Sequence, residues 1–149
     1  MDKSVDVEII PFDMKYYEAV YRLWQSCEGI GLSEADAPER IQSYLDRNPG
    51  CSFIARQGDC ILGAVLGGHD GRRGYLHHLA VLPEARKKGI GSRLVDAALQ
   101  AIRQQGIDRV HIFVYADNKS GIAFWQRIGW RLRDHLVIMS VDIESRVNH

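Results

Sequence analysis

The sequence predicts an α/β protein of the mixed α+β kind, in which a central, mostly antiparallel sheet is flanked by helices. Two observations carry this expectation. The apolar patterning reads in the order β-α-α-β-β-β-α-β-α-β-β, which is neither strict βαβ alternation nor separate blocks of strand and helix. In addition, 149 residues, 46% hydrophobic and 26% charged, suit a single domain (1–149) able to bury its own core.

The elements follow in order. Val5 to Ile10 reads as a strand closed by Pro11, and Tyr16, Tyr17, Val20, Leu23 and Trp24 recur at helical spacing over Met14 to Ser26. Glu28 to Ser33, with two glycines, is a flexible link; Pro38 then suits the first turn of a helix running to Arg47, which Asn48-Pro49-Gly50 ends. Ser52–Arg56 and Cys60–Gly67 are strands joined by the hairpin signal Gln57-Gly58-Asp59. The turn His69 to Gly74 leads into a third strand, Tyr75 to Leu82. A helix after Gly91 carries Leu94, Val95, Ala98, Leu99 and Ile102 on one face and ends at Gly106. Val110–Tyr115 is a strand, Asn118–Ile128 a helix, and Trp130–Arg133 with Leu136–Val141 a closing pair of strands.

Composition excludes several function classes. Lys plus Arg equals Asp plus Glu at 19 each, so no global field favours nucleic acid or an anionic membrane. No apolar run approaches the roughly 20 residues of a membrane span. The acidic, polar N-terminus reads as neither a signal nor a transit sequence, so a cytoplasmic location is expected. Cys27, Cys51 and Cys60 lack metal-site or disulfide spacing, and no metal is implied.

The densest chemical signal is Leu76 to Leu94, LHHLAVLPEARKKGIGSRL. An apolar strand enters Arg86-x-x-Gly89-x-Gly91 and a long helix follows at once. Glycines there let backbone N–H groups approach an anion, and the helix start adds partial positive charge. Arg86, Lys87, Lys88 and Arg93 surround this mouth. Leu94 stands where a dinucleotide GxGxxG loop needs its third glycine, and the Gly-Lys-Ser/Thr of a Walker loop is absent. A strand, this turn and a helix in succession resemble the acetyl-CoA-binding core of the Gcn5-related N-acetyltransferases, the GNAT superfamily, in its small bacterial form. The likeness in element order extends over nearly the whole chain.

The resemblance implies a GNAT fold and an acyltransferase that moves acetyl from acetyl-CoA to a primary amine. The donor and acceptor would meet in one ternary complex. It implies that the N–H groups of Lys88, Gly89, Ile90, Gly91 and Ser92, with Lys87 and Arg86 close by, hold the pyrophosphate. The main chain of Leu79, Ala80 and Val81 would pair with the pantetheine arm as an added strand. Asn118, an N-cap in its own right, would contact the cofactor arm, and Phe124 would lie near the thiol. The sequence departs from the family at Trp125: many members place there the tyrosine that protonates the leaving thiolate, and an indole N–H is no such acid. Tyr115 is near only in sequence. This departure favours an alternative of another class, a catalytically silent CoA-binding regulatory or sensor module.

A base is needed because an alkyl ammonium with pKa near 10 is only about 0.1% neutral at pH 7. The family's base often lies on the strand Tyr75-Leu76-His77-His78, which nominates His77 first and His78 second. Strand alternation puts these two on opposite faces, with Tyr75 and His77 sharing a face with Leu79 and Val81. The Leu79 N–H is the expected donor to the thioester oxygen. Family likeness places the acceptor, a small molecule or a protein, beside Trp24, Leu32, Ser33 and Asp36, with Asp70, Arg72 and Arg73 in the turn before the strand. A homodimer is consistent with the family.

Overall fold

A computed structural model describes residues 6–143. The chain divides into two compact units, one ending at Ala116 and the other starting at Asp117. In the first, β1 (Glu8–Pro11), α1 (Tyr17–Ser26), α2 (Pro38–Arg47), β2 (Phe53–Gln57), β3 (Cys60–His69), β4 (Gly74–Val81), α3 (Ile90–Gln104) and β5 (Val110–Ile112) follow one another. The five strands form one sheet in the order β1-β2-β3-β4-β5, antiparallel throughout except for the parallel pair β4/β5. The mixed sheet and its flanking helices are those the sequence predicts. No helix among the described residues is long and apolar enough to cross a membrane.

Each element has a local cause. Asp13 accepts from the Lys15 N–H and starts a 3₁₀ turn that runs into α1. Pro38 opens α2, where its missing N–H costs nothing. Tyr17, Val20, Leu23 and Trp24 of α1 and Ile41 of α2 pack on Ile54, Ala64, Leu66 and Ala80 of one sheet face. On α3, Ile90, Leu94, Val95, Ala98 and Ile102 form the buried stripe. It lies on the opposite face, close enough that a Cβ at Gly63 would sit 3.0 Å from Leu94 Cδ1 and 2.9 Å from the Ala80 carbonyl.

The sequence reading misses a bulge in β4. Leu66 pairs with His77 and Ala64 with Ala80, so Val65 faces both His78 and Leu79. His78 absorbs the extra residue at φ +52°, in the left-handed region. The expected face sharing is therefore broken: Tyr75 and His77 do not continue into Leu79 and Val81. His77 touches Tyr44 of α2 and His78 touches Trp24 of α1, so both rings lie on the α1/α2 side with Ala80. Val81 lies with Leu94 on the α3 side.

In the second unit, α4 (Lys119–Arg127) is capped by Asn118, whose side chain accepts from the Gly121 N–H at 3.0 Å. It ends in a Schellman turn: Gly129, at φ +101°, donates to Gln126 and Trp130 donates to Trp125. The expected closing strands are not formed. Among the described residues, Trp130–Arg133 and Leu136–Val141 have no ladder partner, and Leu136 donates to Arg133 in a turn. Leu132, Leu136, Val137, Ile138, Met139 and Val141 are exposed. Their composition suits a strand, but a strand is stable only when its backbone groups are paired.

Candidate active site

β5 pairs with β4 only from Gly74/Val110 to Leu76/Ile112. The expected strand to Tyr115 is thus cut short, and the bulge that follows at once on β4 explains why: it bends that strand away from a straight neighbour. From His77 to Val81, β4 continues without β5. Leu82 donates to Leu62 of β3, so strand alternation turns the polar groups of Val81 to the open edge. There the Val81 carbonyl accepts from Arg86 Nε at 2.9 Å. Arg86 thus ties the loop after β4 back to the strand.

That loop leads to the mouth of α3. Lys87 at φ +65° and Gly89 at φ +81° are both left-handed, and successive backbone turns of this kind form an anion-binding concavity. Helix geometry leaves the N–H groups of Ile90, Gly91 and Ser92 without partners in α3, and Gly89 supplies no capping side chain. A Cβ on Gly89 would meet no atom within 4 Å, so the space above the mouth is open. These features fit a pyrophosphate lying on the helix N-terminus with an extended chain along the free edge of β4. Arg93, expected around the mouth, instead donates to the Val7 carbonyl at 3.1 Å.

The two histidines have different surroundings. His77 packs among Tyr44, Tyr75 and Phe113, with ring centroids 5.9, 6.4 and 6.4 Å away. Burial holds its pKa below the ordinary histidine value; the charge of nearby His78 acts in the same sense, and Asp36 opposes it. His78 Nε2 lies 2.9 Å from Asp36 Oδ1, and its ring meets Trp24 edge to face at 5.0 Å. The Asp36 carboxylate is buried, and its second oxygen accepts from the Ser33 N–H at 3.1 Å.

The acceptor candidates scatter. Trp24 is 0% exposed and so belongs to the core, with His78 packed against its ring. Asp36 is engaged rather than open, and Leu32 packs partly against the same core. Asp70 accepts from the N–H groups of Arg72 and Arg73 at 2.9 Å each, which hold its carboxyl below the usual range. Arg73 pairs with Asp108. This turn joins β3 to β4, at the opposite end of β4 from the glycine loop, so Asp70, Arg72 and Arg73 are not brought to the site. Tyr44 and Phe113, not singled out in the sequence, are brought there instead; Tyr44 lies one turn beyond core residue Ile41, and that spacing was the available signal. Tyr115 is exposed, and its hydroxyl lies over Gly31, where any Cβ would collide with it.

In the second unit, Asn118 performs the cap role, and Phe124 is half-buried against Trp125 at 5.3 Å. Trp125 is buried and meets Trp130 at 4.6 Å. Among the described residues, no group of three or more His, Cys, Asp or Glu could hold a metal.

The chain resembles known proteins over most of its length. An acetyltransferase of Pectobacterium atrosepticum is 30% identical over 141 residues, spanning 94% of this chain and 99% of the relative. The crystal structure of Ard1 from Thermoplasma volcanium superposes with a TM-score of 0.76 at 25% identity, covering 87% of this chain and 85% of that one. The PaiA N-acetyltransferase of Thermoplasma acidophilum, solved with coenzyme A, gives 0.74 at 18% identity over 87% and 92% of the two chains. Residues 17–130, crossing from the first unit into the second, match the acetyltransferase (GNAT) family. The parting of β4 from β5 beside a glycine-opened helix is thus the core of a GNAT acetyltransferase, the family to which this chain belongs and whose acetyl donor is acetyl-CoA.

Proposed function

We propose that the protein transfers acetyl directly from acetyl-CoA to a primary amine within one ternary complex, its two units acting as one catalytic domain. The acceptor is a small-molecule amine, a lysine or a protein N-terminus. The observation that carries this reading is the free, bulged edge of β4. It sets two histidines and outward-facing main-chain groups on the strand that leads to the mouth of α3.

In this reading the N–H groups of Lys88 to Ser92 hold the pyrophosphate, Lys87 adds charge, and Leu79 and Val81 receive the pantetheine. The Leu79 N–H donates to the thioester oxygen as charge develops. The amine nitrogen attacks the acetyl carbon and the carbon–sulfur bond breaks. The amine proton passes to a histidine of β4, and the thiolate takes a proton from water. Trp125 supplies none, being an indole buried against Trp130. No covalent enzyme intermediate is needed, since no nucleophile with an adjacent base is present among the described residues.

Free CoA thiol released from acetyl-CoA in the presence of single amines tests this. The panel should span peptides with free N-termini, lysine side chains and small amines. Stoichiometric thiol and acetylated amine are expected with at least one class. Saturable acetyl-CoA binding with no transfer to any amine would instead establish the silent module.

A further inference from the structure

The bulge in β4 serves a bond that the sheet itself does not need. His78 occupies an extra position, in a left-handed backbone conformation that costs a β-carbon-bearing residue energy. Its reward is the 2.9 Å contact between Nε2 and Asp36 Oδ1. Asp36 is 5% exposed, and a buried carboxylate is tolerated only when paired and hydrogen-bonded. Its other oxygen accepts from Ser33, and its backbone carbonyl accepts from the Tyr17 hydroxyl at 2.6 Å. The turn at 33–36 is therefore anchored to itself and to α1 without His78. One carboxylate oxygen remains, aimed at the imidazole.

We propose that Asp36 is a positioning residue for proton transfer: it fixes His78 with Nε2–H toward the carboxylate and leaves Nδ1 as the lone pair that receives the acceptor's proton, directly or through water. A carboxylate accepts hydrogen bonds only, so the shared proton sits on Nε2 and the tautomer is set. The Trp24 ring, itself fully buried, limits rotation of the imidazole. The His78 side chain stays 20% open, enough for a water or an amine to reach it. The titratable groups that reach this contact are His77 on β4, Asp36 on the turn, and, from α1, Tyr17, whose hydroxyl donates to the Asp36 carbonyl, and Tyr21, which packs on Trp24. Of these only Asp36 brings negative charge at neutral pH. His77, packed among rings with burial opposing its charged form, becomes wall rather than base.

This inference rests on the amine-transfer reading, and its test separates the two. Nitrogen-15 NMR of the imidazoles reads the tautomer without catalysis: His78 as Nε2–H with a bare Nδ1 is expected, and Nδ1–H would overturn the proposal. In a transfer assay, Asp36→Asn should lower kcat by about 10²-fold, because the imidazole is no longer held in the productive tautomer. The acetyl-CoA KM and the affinity for CoA should be unchanged. His78→Ala, which leaves the Ser33 and Tyr17 bonds to Asp36 in place, should lose as much. The double variant should then be no worse than His78→Ala, since the two act as one unit. Additive losses, or an Asp36→Asn variant with unchanged kcat, would overturn the role. If the wild type acetylates nothing, the amine-transfer reading fails, while the tautomer still decides how His78 is held.

Discussion

At the scale of single residues, His77 and Asp36 lie at opposite ends of what a sequence can convey. Two histidines in an apolar strand ahead of a glycine loop are visible on inspection. The carboxylate that binds one of them lies 42 positions away, in a 3₁₀ turn; the sequence nominates Asp36 beside the acceptor, but no periodicity marks its pairing with His78. His77 has a consequence for stability. Its folded pKa lies below the unfolded value near 6.5, so between the two the unfolded chain binds the extra proton. The stability it contributes is present above about pH 6.5 and is lost as pH falls through the folded value. His77→Gln should therefore flatten the acid side of a plot of denaturation midpoint against pH, measured in urea at fixed ionic strength. An unchanged slope would show that the packing around His77 does not perturb its titration.

At the scale of elements, the regular parts were legible and the irregular ones were not. α2 from Pro38 to Arg47 and the stripe on α3 follow from proline placement and 3.6-residue spacing. The bulge carries no glycine at its left-handed residue, so the usual sign of a positive φ is missing. The residues of the expected closing strands suit a sheet, but suitability does not report whether a partner strand is available. Two substitutions test the elements that define the site. Gly89→Ala forces a β-carbon into a left-handed cap and should cost about 1–2 kcal/mol in stability. Calorimetric CoA affinity should weaken with it if the mouth of α3 holds the pyrophosphate. Gly63→Val should cost roughly 1–3 kcal/mol by driving α3 off β3, visible as a lowered urea midpoint.

At the scale of the molecule, zero formal charge means that attraction for a polyphosphate is local to Arg86, Lys87 and Lys88. Exposed charges are screened over roughly 10 Å at 0.1 M salt, so CoA affinity should fall several-fold between low and high salt. Changing Lys87 and Lys88 together to Gln should remove most of that dependence; an undiminished slope would place the phosphates elsewhere. The core beneath is continuous with the chemistry. Trp24 packs with Phe12 and Tyr21 and also with His78, so Trp24→Ala should cost about 3–5 kcal/mol and depress turnover in the molecules that remain folded.

The bulge also behaves as an insertion. Val65 alone separates Ala64 from Leu66, whereas two residues separate His77 from Ala80. Removing His78 would leave Leu79 opposite Val65 and preserve every other pair in the ladder, with Ala80 still facing α1. Made alongside Asp36→Asn, so that no buried charge is stranded, the 148-residue deletion should keep native circular dichroism and CoA binding while losing acetyl transfer. One codon would then separate an acetyltransferase from a plain CoA-binding scaffold.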